Sequence, residues 1–373
     1  MRLDLKMPGK IIFEEGCLSE LENCAARLTD NIFIVVSRTL LREGKLDGVL
    51  AGLKQKNIKY TVFDGVTGEP SPQMVDEAVN MARAAGCGAV AGVGGGSVLD
   101  LAKCAAALIN NEGGVECYLE LTDSPRKLEK EVVPFIAVPT TAGTGSEATK
   151  NAVVSSVVKG YKKSLRSEKM MACAALVDPE LTYGLPREIT ARTGMDAITQ
   201  IIESYTSKKA TPITRALSID AASNFGCLLK AWEEDEHAAR KGMCYLSLIS
   251  GIALANGGLG AAHGIAAGLG ALYNVPHGEA CAMLLPHVMR LNIGLCQEDY
   301  ARLAFKATGY KSAQALIDYV EEMNNKMGIR SRLGYLNIGD IDALSRASMG
   351  SSMSGNRVPL NIESCAEFIK GVI

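Results

Sequence analysis

Residues 88–103 read Gly88-Ala89-Val90-Ala91-Gly92-Val93-Gly94-Gly95-Gly96-Ser97-Val98-Leu99-Asp100-Leu101-Ala102-Lys103, and their order decides the fold. The apolar run 88–93 has the length and the small or β-branched content of a buried strand. Three glycines follow, and a helical pattern opens at Ser97 and continues to Ile109. A strand, a stripped turn and a helix start in succession let a ligand approach the backbone closely. The free N–H groups of the helix's first turn suit an anionic pyrophosphate, and Asp100 is expected to face that ligand. A tight βα turn using glycine for geometry alone fits the same residues. The dinucleotide fingerprint GxGxxG fails, because counting from Gly92 or Gly94 puts Ser97 or Leu99 at its last position.

Working outward, short β-branched runs alternate with helical patterns. Strands are expected at 32–36, 60–63, 88–92 and 135–138, a helix over 40–54, and another opening at Ser71-Pro72, a good N-cap and first-turn pair. Such alternation predicts an α/β N-terminal domain with a parallel sheet that binds a dinucleotide. After the turns at Pro179 and Pro186 the strand signal fades and helical patterns run through 189–207 and 212–232, predicting an all-α C-terminal domain. The boundary is placed near Leu185-Pro186, giving an NAD(P)-binding domain of 1–185 and a helical metal and substrate domain of 186–373. A chain of 373 residues is long enough for two domains sharing a cleft.

A second loop, Val138-Pro139-Thr140-Thr141-Ala142-Gly143-Thr144-Gly145-Ser146-Glu147, follows another buried strand with four hydroxyls and two glycines. Open α/β sheets bind ligands beyond the carboxyl ends of their strands, so the two loops together point to one nucleotide site. A cluster of N-caps for the next helix is the simpler alternative.

Composition narrows the function. With 47% hydrophobic and 21% charged residues the chain is globular rather than disordered. A net charge of -2 gives no footprint for nucleic acid. Eleven cysteines, scattered without a CxxC pair, read as reduced core residues of a cytoplasmic protein. Asp4 interrupts the N-terminus where a leader would become apolar, so no secretion signal is expected. The stretch 246–276 is long enough to cross a membrane, but it contains Asn256 and His263 and is rich in Gly and Ala, which favours close helix packing inside a protein.

The chain resembles the iron-containing (group III) alcohol dehydrogenase family, which has the dehydroquinate synthase-like fold. The resemblance is carried by GGGSVLDLAK (94–103), PTTAGTGSE (139–147), DPEL (178–181), GMDA (194–197), HGIA (263–266), NVPHGEACAMLLPHVMRLN (274–292) and the tail Gly355-Asn356-Arg357, and it spans nearly the whole chain. It implies an NAD(P)-dependent alcohol dehydrogenase or aldehyde reductase acting on a small aldehyde or primary alcohol, with a homodimer or larger homo-oligomer as its usual state. Gly95, Gly96, Ser97 and Asp100 would hold the cofactor, Thr140, Thr141, Thr144 and Asn151 would line its nicotinamide side, and Lys162 and Leu181 would complete the pocket. Lys162 lies in the charged stretch 159–163, which also reads as a solvated loop.

For the metal, Fe or Zn, the family supplies one Asp and three His. Asp196, His263 and His277 match, while Gln200 stands at the remaining position, four residues after Asp196 on one helix face. A neutral amide oxygen is a weaker donor than imidazole to first-row metals, so affinity should fall. Three strong ligands and an open position can still serve catalysis. Without the resemblance, His263 reads as a buried structural histidine and His277 as a loop residue. His287 is expected to open a helix and His237 to be exposed. Where many relatives have a proton-relaying histidine, this chain has Ala267, so no catalytic residue is assigned.

NAD-selective relatives often carry an aspartate after the strand at 32–36; here Ser37-Arg38 follows it, which predicts that NADPH is tolerated. Lys150 is a candidate cation for an anionic head group on the aldehyde. Three other readings remain: a metal-independent reductase of the maleylacetate reductase type, a dehydroquinate synthase-like lyase, which needs more Lys, Arg and His in the helical domain than the sequence offers, and a non-catalytic nucleotide-binding relative that has lost its metal.

Overall fold

The computed structural model describes residues 4–121, 124–156 and 158–373; residues 1–3, read above for a leader, lie outside them. The elements of the α/β part are β1 (Ile11–Phe13), α1 (Glu20–Ala26), β2 (Asn31–Val36), α2 (Arg38–Arg42), α3 (Asp47–Gln55), β3 (Lys59–Phe63), α4 (Pro72–Ala85), β4 (Ala89–Gly94), α5 (Gly96–Leu108), β5 (Phe135–Pro139), β6 (Asn151–Ser156), β7 (Tyr161–Arg166) and β8 (Ala174–Val177). Six strands form a sheet in the order β1-β8-β5-β4-β2-β3, every pair parallel, and β6 and β7 form an antiparallel ribbon.

Both faces of the sheet are covered, which is why β2 after Asn31 and β4 throughout are apolar. Phe33 and Val35 of β2 join a core with α4 and α5, while Ile32, Ile34 and Val36 join one with α1 and α3. Ser71 caps α4 by accepting from Met74 N at 3.2 Å, with Pro72 in the first turn as expected. The expected helix at 40–54 is instead two, α2 and α3, separated at residues 43–46.

The helical part contains α6 (Arg187–Thr206), α7 (Pro212–Ala221), α8 (Cys227–Glu234), α9 (His237–Gly257), α10 (Ala261–Tyr273), α11 (His277–Thr308), α12 (Ala313–Lys326), α13 (Ile341–Ser348) and α14 (Ile362–Val372). Among the described residues no strand follows Val177. The expected helix at 212–232 breaks into α7 and α8 around a single 3-10 turn, Ala222–Asn224. His287 does not open a helix; it lies inside α11, which starts ten residues earlier and carries Pro286 in its interior.

Among the described residues no single helix is long and apolar enough to cross a membrane. The apolar stretch 246–276 is divided between α9 and α10, which are bent by 99° at their junction. By contacts the described residues form one compact unit within 6–141 and 146–183, and another of 184–373 that also takes in residues 4–5 and the short segment 142–145.

Candidate active site

In the α/β unit the glycine turn has the position expected of a ligand site. Chain connections run outward from β2 to β3 and, in the other direction, from β4 to β5, so the carboxyl ends of β2 and β4 are the topological switch point. Ser37 and the turn 94–96 meet there, with Ser37 N donating to Val93 O at 3.1 Å. Gly95 is the N-cap of α5 and makes no side-chain cap; Val98 N turns back to Gly95 O at 2.9 Å, and Gly96 N and Ser97 N, ahead of it, are the first-turn groups suited to an anionic ligand. Thr140 N, just beyond β5, donates to Gly94 O at 3.0 Å and brings the threonine loop against the glycine turn.

Behind this surface a buried polar network holds the loops. Asp100 Oδ1 accepts from Ser146 Oγ at 2.5 Å and Oδ2 from Val153 N at 2.9 Å, so its carboxylate anchors the threonine loop and β6. Lys103, fully buried, donates to Ser146 O at 3.0 Å, to Thr149 Oγ1 at 2.9 Å and to Asn151 O. Burial pushes the Lys103 pKa below its usual value against the pull of Asp100. Burial also raises the Glu147 carboxyl to about 7. Asp178 of the DPEL segment accepts from Gly16 N and Leu18 N, both at 3.0 Å, tying the end of β8 to the N-terminal loop.

In the helical unit, four side chains from three helices converge. Asp196 from α6, His263 from α10, and His277 and Cys281 from α11 bring one ligand atom each within 4.8 Å of one another. His263 Nε2 is 3.2 Å from Asp196 Oδ1, and His277 Nε2 is 3.8 Å from the same oxygen. Asp196, His263 and Cys281 are buried, while His277 keeps 30% of its side chain exposed. A carboxylate and two imidazoles gathered at this separation fit a divalent transition-metal ion.

Glu203, two turns after Asp196 on α6, orients the group. Its carboxylate accepts from Gly260 N at 3.0 Å and Ala262 N at 2.7 Å at the start of α10, where Asn356 Oδ1 takes Ala261 N at 3.2 Å. It also meets His263 Nδ1 at 2.7 Å. A carboxylate can only accept, so Nδ1 carries the hydrogen and Nε2 is turned to Asp196. Burial opposes charge on His263, but Cys281, Asp196 and Glu203 raise its pKa well above the usual value. Burial likewise works against the Asp196 carboxylate, yet His263, His277 and Gln200 hold its pKa below the ordinary value.

The chain as a whole matches known proteins. The model of the iron-containing alcohol dehydrogenases matches residues 8–179, and that of the C-terminal part of the Fe-containing alcohol dehydrogenase family matches 190–368. The chain belongs to the iron-containing alcohol dehydrogenase family. A probable alcohol dehydrogenase of Escherichia coli is 37% identical over 309 residues, 82% of this chain and 77% of its own. The crystal structure of a 1,3-propanediol oxidoreductase superposes with a TM-score of 0.92 at 29% identity, covering both chains fully. That of sulfoacetaldehyde reductase from Bifidobacterium kashiwanohense in complex with NAD+ gives 0.89 at 29% identity over 100% of this chain and 99% of its own. This iron-containing alcohol dehydrogenase is thus an alcohol oxidoreductase, of a family that uses NAD(H) and iron.

Other residues of the dehydrogenase singled out from sequence have specific places. Thr141 flanks the glycine turn, its methyl 3.4 Å from where a Cβ on Gly95 would stand. Lys162 on β7 pairs with Glu69, and Leu181 packs partly buried against the β2 core. Lys150 shares Glu168 with Lys6, at 3.6 and 3.2 Å. Thr144 O accepts from Gln200 Nε2 at 3.4 Å. Gly145, at φ 59°, lies so close to α9 that a Cβ would be 2.5 Å from Gly251 Cα.

Gln200 departs from expectation. The Thr144 carbonyl can only accept, which turns the amide nitrogen to it and the oxygen to Ser250, whose hydroxyl donates at 2.6 Å. The oxygen expected to face a metal is therefore engaged elsewhere. Glu203, Cys281 and Lys103 were not singled out as site residues from sequence. Glu203 continues the Asp196 and Gln200 face at the i+7 position, and Cys281 is the i+4 neighbour of His277, so helical spacing was the available signal.

Proposed function

We propose that the residues 1–185 bind the nicotinamide dinucleotide and the residues 186–373 hold the metal and a small aldehyde or primary alcohol, between which a hydride is exchanged. The observation carrying this reading is the convergence of Asp196, His263 and His277, with Glu203 fixing the ring of His263. A bound divalent ion would polarise the substrate oxygen, while the nicotinamide supplies or accepts the hydride. Asp196 would provide the anionic ligand, and Nε2 of His263, once the ion displaces its proton, and Nε2 of His277 would provide neutral ones. The first turn of α5, with Gly95, Gly96 and Ser97, binds the pyrophosphate. Thr140, Thr141, Thr144 and Asn151 border the nicotinamide, and Lys162 and Leu181 the rest of the cofactor. Ala267 cannot relay a proton, so the proton for the product oxygen would come from water, a cofactor ribose hydroxyl or another side chain.

We also propose that NADPH is accepted. Ser37 offers no carboxylate to repel a 2′-phosphate, and Arg38 pairs with Asp64 at 3.3 Å, so its charge is balanced rather than removed. A reducing, cytoplasmic setting is supported by eleven free thiols, and assembly into a homodimer or larger by the family resemblance.

The test is an assay of short aldehydes, neutral and anionic, with NADH and NADPH, before and after chelation and metal return. Activity that is lost on chelation and restored by metal is expected. Full activity in metal-free protein would favour the metal-independent reductase. A preference for NADH above roughly a hundredfold in kcat/KM, about 2.7 kcal/mol, would reject acceptance of NADPH.

A further inference from the structure

We propose that Cys281, not Gln200, is the fourth ligand of the metal in the helical unit, making the donor set one carboxylate oxygen, two imidazole nitrogens and one thiolate sulfur. This deepens the metal-dependent reading above and rests on it. Two independent observations lead here. Gln200 has a single atom able to ligate, its Oε1, and that atom accepts from Ser250 Oγ at 2.6 Å while the amide nitrogen is held by Thr144 O. Cys281, by contrast, is fully buried with its Sγ inside the cluster, 3.8 Å from His277 Nε2.

The distances have the scale of a coordination shell. Zinc holds nitrogen at about 2.0–2.1 Å and sulfur at about 2.3 Å, so the edges of a tetrahedron around it are roughly 3.3–3.6 Å. The separations from Asp196 Oδ1 to His263 Nε2, from Asp196 Oδ1 to His277 Nε2, and from His277 Nε2 to Cys281 Sγ are 3.2, 3.8 and 3.8 Å. Helix geometry explains the sulfur's place. His277 and Cys281 are i and i+4 on α11, so both side chains leave the same face one turn apart.

Charge and softness then set the ion. Asp196 and a Cys281 thiolate together balance a divalent cation within the donor set itself, with the Glu203 carboxylate adding a further negative charge behind His263. A thiolate donor favours zinc or cobalt(II) over magnesium or manganese(II). The substitution of histidine by glutamine at 200 is in this view compensated from another helix.

The decisive experiment is cobalt(II) and zinc loading of the purified full-length protein, read without turnover. The cobalt form is expected to show a near-ultraviolet thiolate-to-metal charge-transfer band, and zinc X-ray absorption one sulfur at about 2.3 Å. C281S should lose the band and bind metal about 100-fold more weakly or worse, beyond the cost of losing an outer-shell partner. Q200A should keep the band, with affinity changed less than about 10-fold. Metal bound with nitrogen and oxygen neighbours only, or C281S binding as tightly as the parent, overturns the assignment and leaves the metal-dependent function standing. No uptake of either ion by the parent protein overturns both. Should C281S fail to fold, the parent spectra alone decide.

Discussion

Both units of this chain bury charged side chains, and they do so for different purposes. In the α/β unit, Asp100, Lys103 and Glu147 sit behind the glycine turn, and Asp100 and Lys103 bond to the loops that shape it; the surface offered to a ligand is largely backbone. In the helical unit, Asp196, His263, His277 and Cys281 aim at one another, and the side chains themselves are the site. A backbone site tolerates drift in side chains but not in glycine. A side-chain site can exchange one donor for another and survive, as Gln200 and Cys281 illustrate.

The largest effect should come from Asp196→Asn. Removing the only carboxylate of the cluster should lower kcat/KM for alcohol oxidation by about 10³-fold, or about 4 kcal/mol, with NADH affinity by fluorescence titration unchanged. A parallel loss of NADH binding would mean that the two sites are not independent, and the comparison would break.

Next is the pH dependence of stability set by Glu147. Its folded pKa of about 7 lies above the ordinary glutamate value of 4.5, so between those values the folded chain holds a proton that the unfolded chain lacks. Stability therefore falls as pH rises from 4.5 to 7, by on the order of 3 kcal/mol in total, and is flat beyond. Glu147→Gln should match the parent at pH 4.5 and exceed it above pH 7 in urea titrations. A variant with the parent's slope would show that this burial does not govern stability.

The smallest and most selective effect is expected at Gly95. A Cβ there would meet Thr141 at 3.4 Å, ordinary contact, and φ of -71° is open to any residue. Gly95→Ala should change stability by no more than about 0.5 kcal/mol and weaken NADH by about 10- to 100-fold, because the methyl occupies the space of the pyrophosphate. Unchanged NADH affinity would move the pyrophosphate off this turn.

The sequence reading reached furthest where local chemistry and tertiary role coincide. The strands β2, after Asn31, and β4 are apolar because both faces of the sheet are covered, and the glycine turn is legible as a turn between strand and helix, its ligand role resting on the threonine loop that follows the next strand. The three-residue β1 is too short for a pattern, and the β6-β7 ribbon hides behind Lys159, Lys162 and Lys163, whose charge reads as a loop. At the site, Asp196, His263 and His277 were legible only through family motifs. Cys281 was not, because a cysteine within Ala280, Ala282 and Met283 looks like core, and only the packing of α10 against α11 shows where its sulfur points. Gln200 was legible as a change but not as a rotated amide, which depends on Thr144 and Ser250, neither of them near it in sequence.

One carboxylate closes the start of α10 and holds the imidazole of His263. The direction of a metal-binding nitrogen is thereby made part of how a helix begins. The ring is aimed before an ion arrives, so capture of the ion requires little reordering of that ligand. A change at Glu203 would loosen a helix and a ligand together, which couples the history of that position to the metal even though its oxygens are engaged elsewhere.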